Sequence, residues 1–105
     1  MSEINIIQDR ILGELEMLIN HLDRYMERTW SDYFREIKTL IDKGDTRAID
    51  SLNNIRGGMG SFFDLVICRI NGHSIEKNEE EFANRELMRL GDLVLKSADK
   101  LKRLL

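Results

Sequence analysis

Few residues in this chain of 105 have types and spacings that could do chemistry. The stretch that stands out is Gly57-Gly58-Met59-Gly60-Ser61-Phe62-Phe63-Asp64, which holds three of the seven glycines. A glycine-rich turn can cradle phosphate. The phosphate loop GxxxxGK[ST], however, needs a strand before it and a lysine after its last glycine. No lysine follows Gly60, and the residues before Gly57 carry a helical pattern. A helix beginning at Ser61 would still offer its N–H groups to an anion. The other reading is a structural turn that uses glycine's access to positive φ and close backbone approach. The two phenylalanines favour the turn: a hinge packed on apolar surface, made by Gly57, Gly58, Gly60, Ser61 and Asp64.

The remaining candidates are thinner. His21 and His73 are the only histidines, and neither the HExxH spacing nor a Cys/His pair is present, so no metal site is expected. His73 has Glu76 close by in sequence. Cys68 could act as a nucleophile only with a depressed pKa. It lies between Ile67 and Arg69, near the expected end of a helix, so a small buried hydrophobe is the better reading. The acids Asp42, Asp45, Asp50, Glu76, Glu79, Glu80 and Glu81 can form a face for a basic partner, with ordinary solvated surface and caps as the alternative. No set of convergent polar groups suggests catalysis, and no cofactor is expected.

Composition sets the frame for these groups. The length indicates one domain over 1–105. Apolar content of 42% supports a modest core, and the absence of proline suits a chain made mostly of helix. A net charge of −3 argues against a dedicated nucleic-acid binder. The polar, acidic start shows no secretory signal, no segment reaches the roughly 20 apolar residues of a membrane span, and the single cysteine cannot form an internal disulfide. A reducing cytoplasm is the expected compartment.

The elements that must position these groups read as helices. Ile4, Ile7, Ile11, Leu15, Leu18, Leu22 and Tyr25 recur in steps of three and four, capped by Ser2. Ile19, Leu12 and Met26 widen that face, which suggests more than one neighbour. Thr29 with Asp32 opens a second helix carrying Phe34, Ile37, Leu40 and Ile41, closed by Gly44. Asp45 or Thr46 caps a short third helix that ends at Gly57. The apolar run Phe62–Ile70 can be a buried strand or a buried helix; Ser61 with Asp64 as a capping box, and the lack of a partner strand, favour the helix. Asn71-Gly72 closes it. After a loop anchored by Ile75, Asn78 caps a long last helix with Glu79, Glu80 and Glu81 in its first turn and Lys100, Lys102 and Arg103 at its end. The expectation is an all-α, compact bundle of about five helices, two of them long at the N- and C-termini, with the glycine-rich hinge in the middle. The broad first and last helices leave a homodimer open.

The motif Gly-Gly-Met-Gly-Ser-Phe-x-Asp-Leu at 57–65, with Asn71-Gly72-His73 shortly after, resembles a set of small helical bacterial proteins. Some of these look like immunity proteins of contact-dependent growth inhibition and other polymorphic toxin systems. Phe63 stands where a polar residue would be expected in that pattern. The resemblance implies binding without chemistry: a toxin-neutralising protein that occludes a cognate toxin, most naturally a nuclease, in the cytoplasm. Its acidic side chains would stand in for nucleic-acid phosphate, with Asp42, Asp45, Asp50, Glu76, Glu79, Glu80 and Glu81 as contact residues. The alternative is a helical homodimeric adaptor or regulatory protein without catalysis.

Overall fold

The computed structural model describes residues 2–56 and 61–105. The hinge glycines Gly57, Gly58 and Gly60 lie outside the described residues, while Ser61 and Asp64 lie within them. Four α-helices account for most of the chain: α1 (Glu3–Arg24), α2 (Arg28–Asp42), α3 (Arg47–Asn53) and α4 (Glu80–Leu104). Among the described residues there is no strand, and no helix is long and apolar enough to cross a membrane.

The long helix α1 is the centre. Its wide stripe of Ile7, Ile11, Leu15, Leu18, Ile19 and Leu22 is buried on both flanks, against α2 on one side and α4 on the other. Both neighbours run antiparallel to it. The Glu16–Lys38 ion pair and the bond from Gln8 to the Ile41 carbonyl set the first register. The bond between His21 Nε2 and the Ala83 carbonyl, 2.8 Å, sets the second. The gap between α2 and α4 is filled by α3 and by Phe62. The Phe62 ring packs edge-on against Trp30 and Phe34 of α2 and Phe63 beside it, and is fully buried. It reaches α4 at Gly91, where an added Cβ would lie 2.7 Å from the ring. Gly91 thus allows a close approach of α4 to the ring. Gly13 is its opposite: on exposed α1 surface an added Cβ there meets nothing within 4 Å. Gly13→Ala is therefore expected to stabilise the chain by about 0.5–1 kcal/mol through helix propensity alone, as read by urea unfolding.

The helix ends follow local chemistry. The Asn5 N–H donates to Ser2 Oγ at the start of α1. Gly44, at φ +73°, closes α2 with paired bonds from the Gly44 and Asp45 amides to the Ile41 and Leu40 carbonyls. The same motif closes α1 without a glycine: Met26 holds φ +62°, while the Met26 and Glu27 amides donate to the Asp23 and Leu22 carbonyls. The next helix therefore begins earlier than expected. Glu27, not Thr29, caps α2, its Oε2 accepting the Trp30 N–H at 3.0 Å. At the α3 corner Asp45 accepts from the Arg47 backbone and forks to its guanidinium. These hydrogen bonds hold the Asp45 carboxyl down at about 2 from the usual 3.8. A folded-state value below the unfolded one means that the contact stabilises above the ordinary carboxylate range and is lost as pH falls toward 2. A carboxyl-detected NMR titration should place the Asp45 midpoint near that value, and Arg47→Gln should move it back up.

Two expectations are corrected. Residues 62–70 form neither a helix nor a strand. They make a 3-10 turn at Phe62–Asp64, an extended stretch, and a second turn at Arg69–Asn71 closed by Gly72 at φ +86°. Ser61 makes no side-chain cap bond there. The fifth helix thus becomes an ordered loop. The last helix also starts later than Asn78: Lys77–Glu79 is a 3-10 turn, and α4 proper begins at Glu80.

Candidate functional site

The loop 65–76 is held by side chains rather than by a ladder of its own. Asn84, on the second turn of α4, clasps Ile67: its Oδ1 accepts the Ile67 N–H at 2.7 Å and its Nδ2 donates to the Ile67 carbonyl at 2.9 Å. Asn71 Nδ2 donates to the Val66 carbonyl across the loop. The Arg69 backbone N–H donates to Glu80 Oε2, and its guanidinium donates to the Ile75 carbonyl and to Glu76. The Ser74 N–H reaches the Tyr25 carbonyl at the end of α1. Ile67 and Ile75 are buried beneath it.

His73 is the inner pin. It is buried, and its Nδ1 accepts the Cys68 N–H at 3.0 Å. A ring that accepts at Nδ1 carries its proton on Nε2, which donates to Glu27 Oε1 at 3.1 Å. Glu27 therefore holds the start of α2 with one oxygen and the loop with the other. Its partner in the loop is His73, not the Glu76 that sequence proximity suggested; Glu76 pairs with Arg69 at 2.7 Å. Cys68 is half-buried in extended backbone rather than at a helix end.

Held this way, the loop presents apolar side chains outward. Ile70 is 96% exposed and Val66 is 50% exposed. An open cleft of about 530 Å³ lies between the loop and the end of α1, lined by Arg24, Tyr25, Arg69, His73, Ser74, Ile75, Glu76 and Glu79. Its floor is polar, but it does not bring together a nucleophile and an acid–base pair. Among the described residues no group of three or more metal-ligating side chains converges. His21 is spent on the Ala83 carbonyl.

The seven acids divide between the two ends of the bundle. Glu76, Glu79, Glu80 and Glu81 lie at the loop end, by the C-terminus of α1 and the start of α4. Asp42, Asp45 and Asp50 lie at the α2–α3 corner, near Ile4 and Gln8 at the other end of α1. From Gln8 to His21 is 13 residues, about 20 Å of helix, so the seven do not make one face. Several are already paired: Asp45 with Arg47, Glu76 with Arg69, Glu81 with Arg85. Glu27, Arg69, Ile70 and Asn84 escaped the sequence reading. An isoleucine inside an apolar run and an asparagine inside a helix carry no periodic signal of such roles.

A family model matches residues 23–76, which takes in the α1–α2 corner, α2, α3 and the whole of the pinned loop. No curated protein and no solved structure matches the chain. With more than half of its length covered, the chain belongs to the family described as a domain of unknown function (DUF6966).

Proposed function

We propose that this chain is an immunity-type binding protein that docks on a basic toxin domain, a nuclease, in the cytoplasm and blocks it without doing chemistry. The observation that carries the reading is Ile70, 96% exposed at the tip of a loop whose backbone is bonded on both sides. An apolar knob fixed before binding loses little entropy when it docks. Carboxylates lie close along the chain: Glu76 and Glu80 both accept from Arg69, the neighbour of Ile70 in sequence, and Glu79 and Glu81 flank Glu80. An apolar centre with a polar rim is the anatomy of a protein interface. An acidic rim suits a nuclease, which must be basic where it holds phosphate. In this proposal the contact acids are Glu76, Glu79, Glu80 and Glu81, and the acids of the α2–α3 corner lie outside the interface.

The test is co-expression with the toxin domain encoded immediately upstream. That domain alone should arrest growth, and the wild-type chain should restore it. Ile70→Asp should fail to restore it, while Asp50→Lys at the far end should restore it fully. A harmless upstream domain, or protection by Ile70→Asp equal to wild type, would refute the proposal. The homodimeric adaptor has one observation in its favour: a small apolar notch of about 60 Å³ at the far end, with Ile4, Ile41, Ile49, Leu101 and Leu105 in its wall. A stable dimer in sedimentation, with no upstream partner bound, would support that reading instead.

A further inference from the structure

A second site lies on the opposite electrostatic footing. Along the groove between α1 and α4, Arg10 and Glu14 of α1 and Lys96, Lys100 and Arg103 of α4 line a depression of about 230 Å³, with Leu93 and Ser97 completing its wall. The α4 cations follow at steps of four and three, so they share one helix face. None of the four cations makes a salt bridge among the described residues. The nearby Asp99 is held by a two-point fork from Arg56. Glu14 is the anomaly. It is 9% exposed, and its Oε1 is sealed from solvent with no hydrogen-bond partner. A buried carboxylate oxygen left without a donor is costly. Four cations share the depression with it, yet none makes a salt bridge to it among the described residues.

We infer that this groove binds an oxyanion that brings its own proton donor, with inorganic phosphate as the fitting ligand. At neutral pH phosphate carries at least one P–OH. That hydroxyl can donate to the Glu14 carboxylate where it lines the depression, while the charged oxygens accept from Arg10, Lys96, Lys100 and Arg103. Sulfate has the same size and shape but no proton, so it would set a bare oxygen against the carboxylate. Phosphomonoesters, largely dianionic at pH 7, meet the same repulsion. The cations supply attraction and Glu14 supplies the choice.

The test is an NMR titration of the full chain at pH 7 and constant ionic strength, following the backbone amides of Arg10, Glu14, Ser97 and Lys100. Sodium phosphate should give saturable shifts at these positions. Sodium sulfate and glycerol phosphate should bind at least about tenfold more weakly, the loss of one good hydrogen bond. Glu14→Gln, whose amide can donate to sulfate, should bring phosphate and sulfate to near parity, and Lys96→Gln with Lys100→Gln should remove binding of both. Absence of saturable phosphate shifts, or equal affinity for sulfate in the wild-type chain, would overturn the inference; that wild-type ratio decides even if a variant fails to fold. Neither result bears on the Ile70 surface, which lies at the other end of α4.

Discussion

Replacing Phe62 by alanine is expected to destabilise the fold by about 3–5 kcal/mol, the range for deleting a fully buried aromatic ring. The reason is its position. α1 is flanked by α2 and α4, and the Phe62 ring closes the space between the outer two, touching Trp30 and Phe34 on one side and Gly91 on the other. No neighbour can collapse into that space without moving a helix. Gly91→Ala probes the same contact from the other side. Alanine gains about 1 kcal/mol of helix propensity over glycine, but its Cβ would stand 2.7 Å from a fully buried ring. Overpacking costs about 1–3 kcal/mol, so the net change should be destabilising. In a Phe62→Ala background the clash is gone and Gly91→Ala should become stabilising. A double-mutant cycle by urea unfolding reads this coupling directly. Additive effects would show that the ring and Gly91 do not meet as described.

The second large effect is expected at Glu27. Glu27→Ala should destabilise the chain by about 2–4 kcal/mol, combining a lost helix cap with a buried imidazole N–H left without an acceptor. Both losses come from one carboxylate, because Oε2 receives the Trp30 N–H and Oε1 receives His73 Nε2–H. The signature is spatial as well as energetic. Hydrogen exchange should speed up in the first turn of α2 and in residues 66–75 together, though these are far apart in sequence. Glu27→Gln keeps an acceptor oxygen and should lose no more than about half as much. If Glu27→Ala unfolds within about 0.5 kcal/mol of wild type, as an ordinary surface substitution would, the carboxylate does not join the two elements.

What the sequence made legible was local and periodic. The stripe from Ile4 to Tyr25 gave α1 and its breadth, which the two flanking helices explain. Ser2 and Gly44 mark helix ends where the backbone needs a cap or a left-handed residue; Gly72 is left-handed as well, but it closes a 3-10 turn rather than the helix expected before it. What escaped depends on tertiary contacts. Met26 ends α1 in a left-handed conformation without being glycine, so the corner and its Glu27 cap were hidden behind Thr29. The run Phe62–Ile70 looks uniformly apolar, yet Phe62 and Ile67 turn inward while Val66 and Ile70 turn outward. Hydropathy cannot separate those fates; the Asn84 clasp does. The acids were grouped because they are acids, and the folded chain distributes them over two ends about 20 Å apart along α1. The candidate site was thus visible as ingredients, Glu76 and Glu79 to Glu81, but not as a knob and rim.

The most direct test of the binding account is the affinity of the purified chain for the upstream toxin domain, wild type against Ile70→Asp, by titration calorimetry. A tight one-to-one complex is expected for wild type and at least about a hundredfold weaker binding for Ile70→Asp, the scale of a central interface anchor, with unchanged thermal unfolding of the free chain. Equal affinities for the two proteins, or no complex with either, would contradict it.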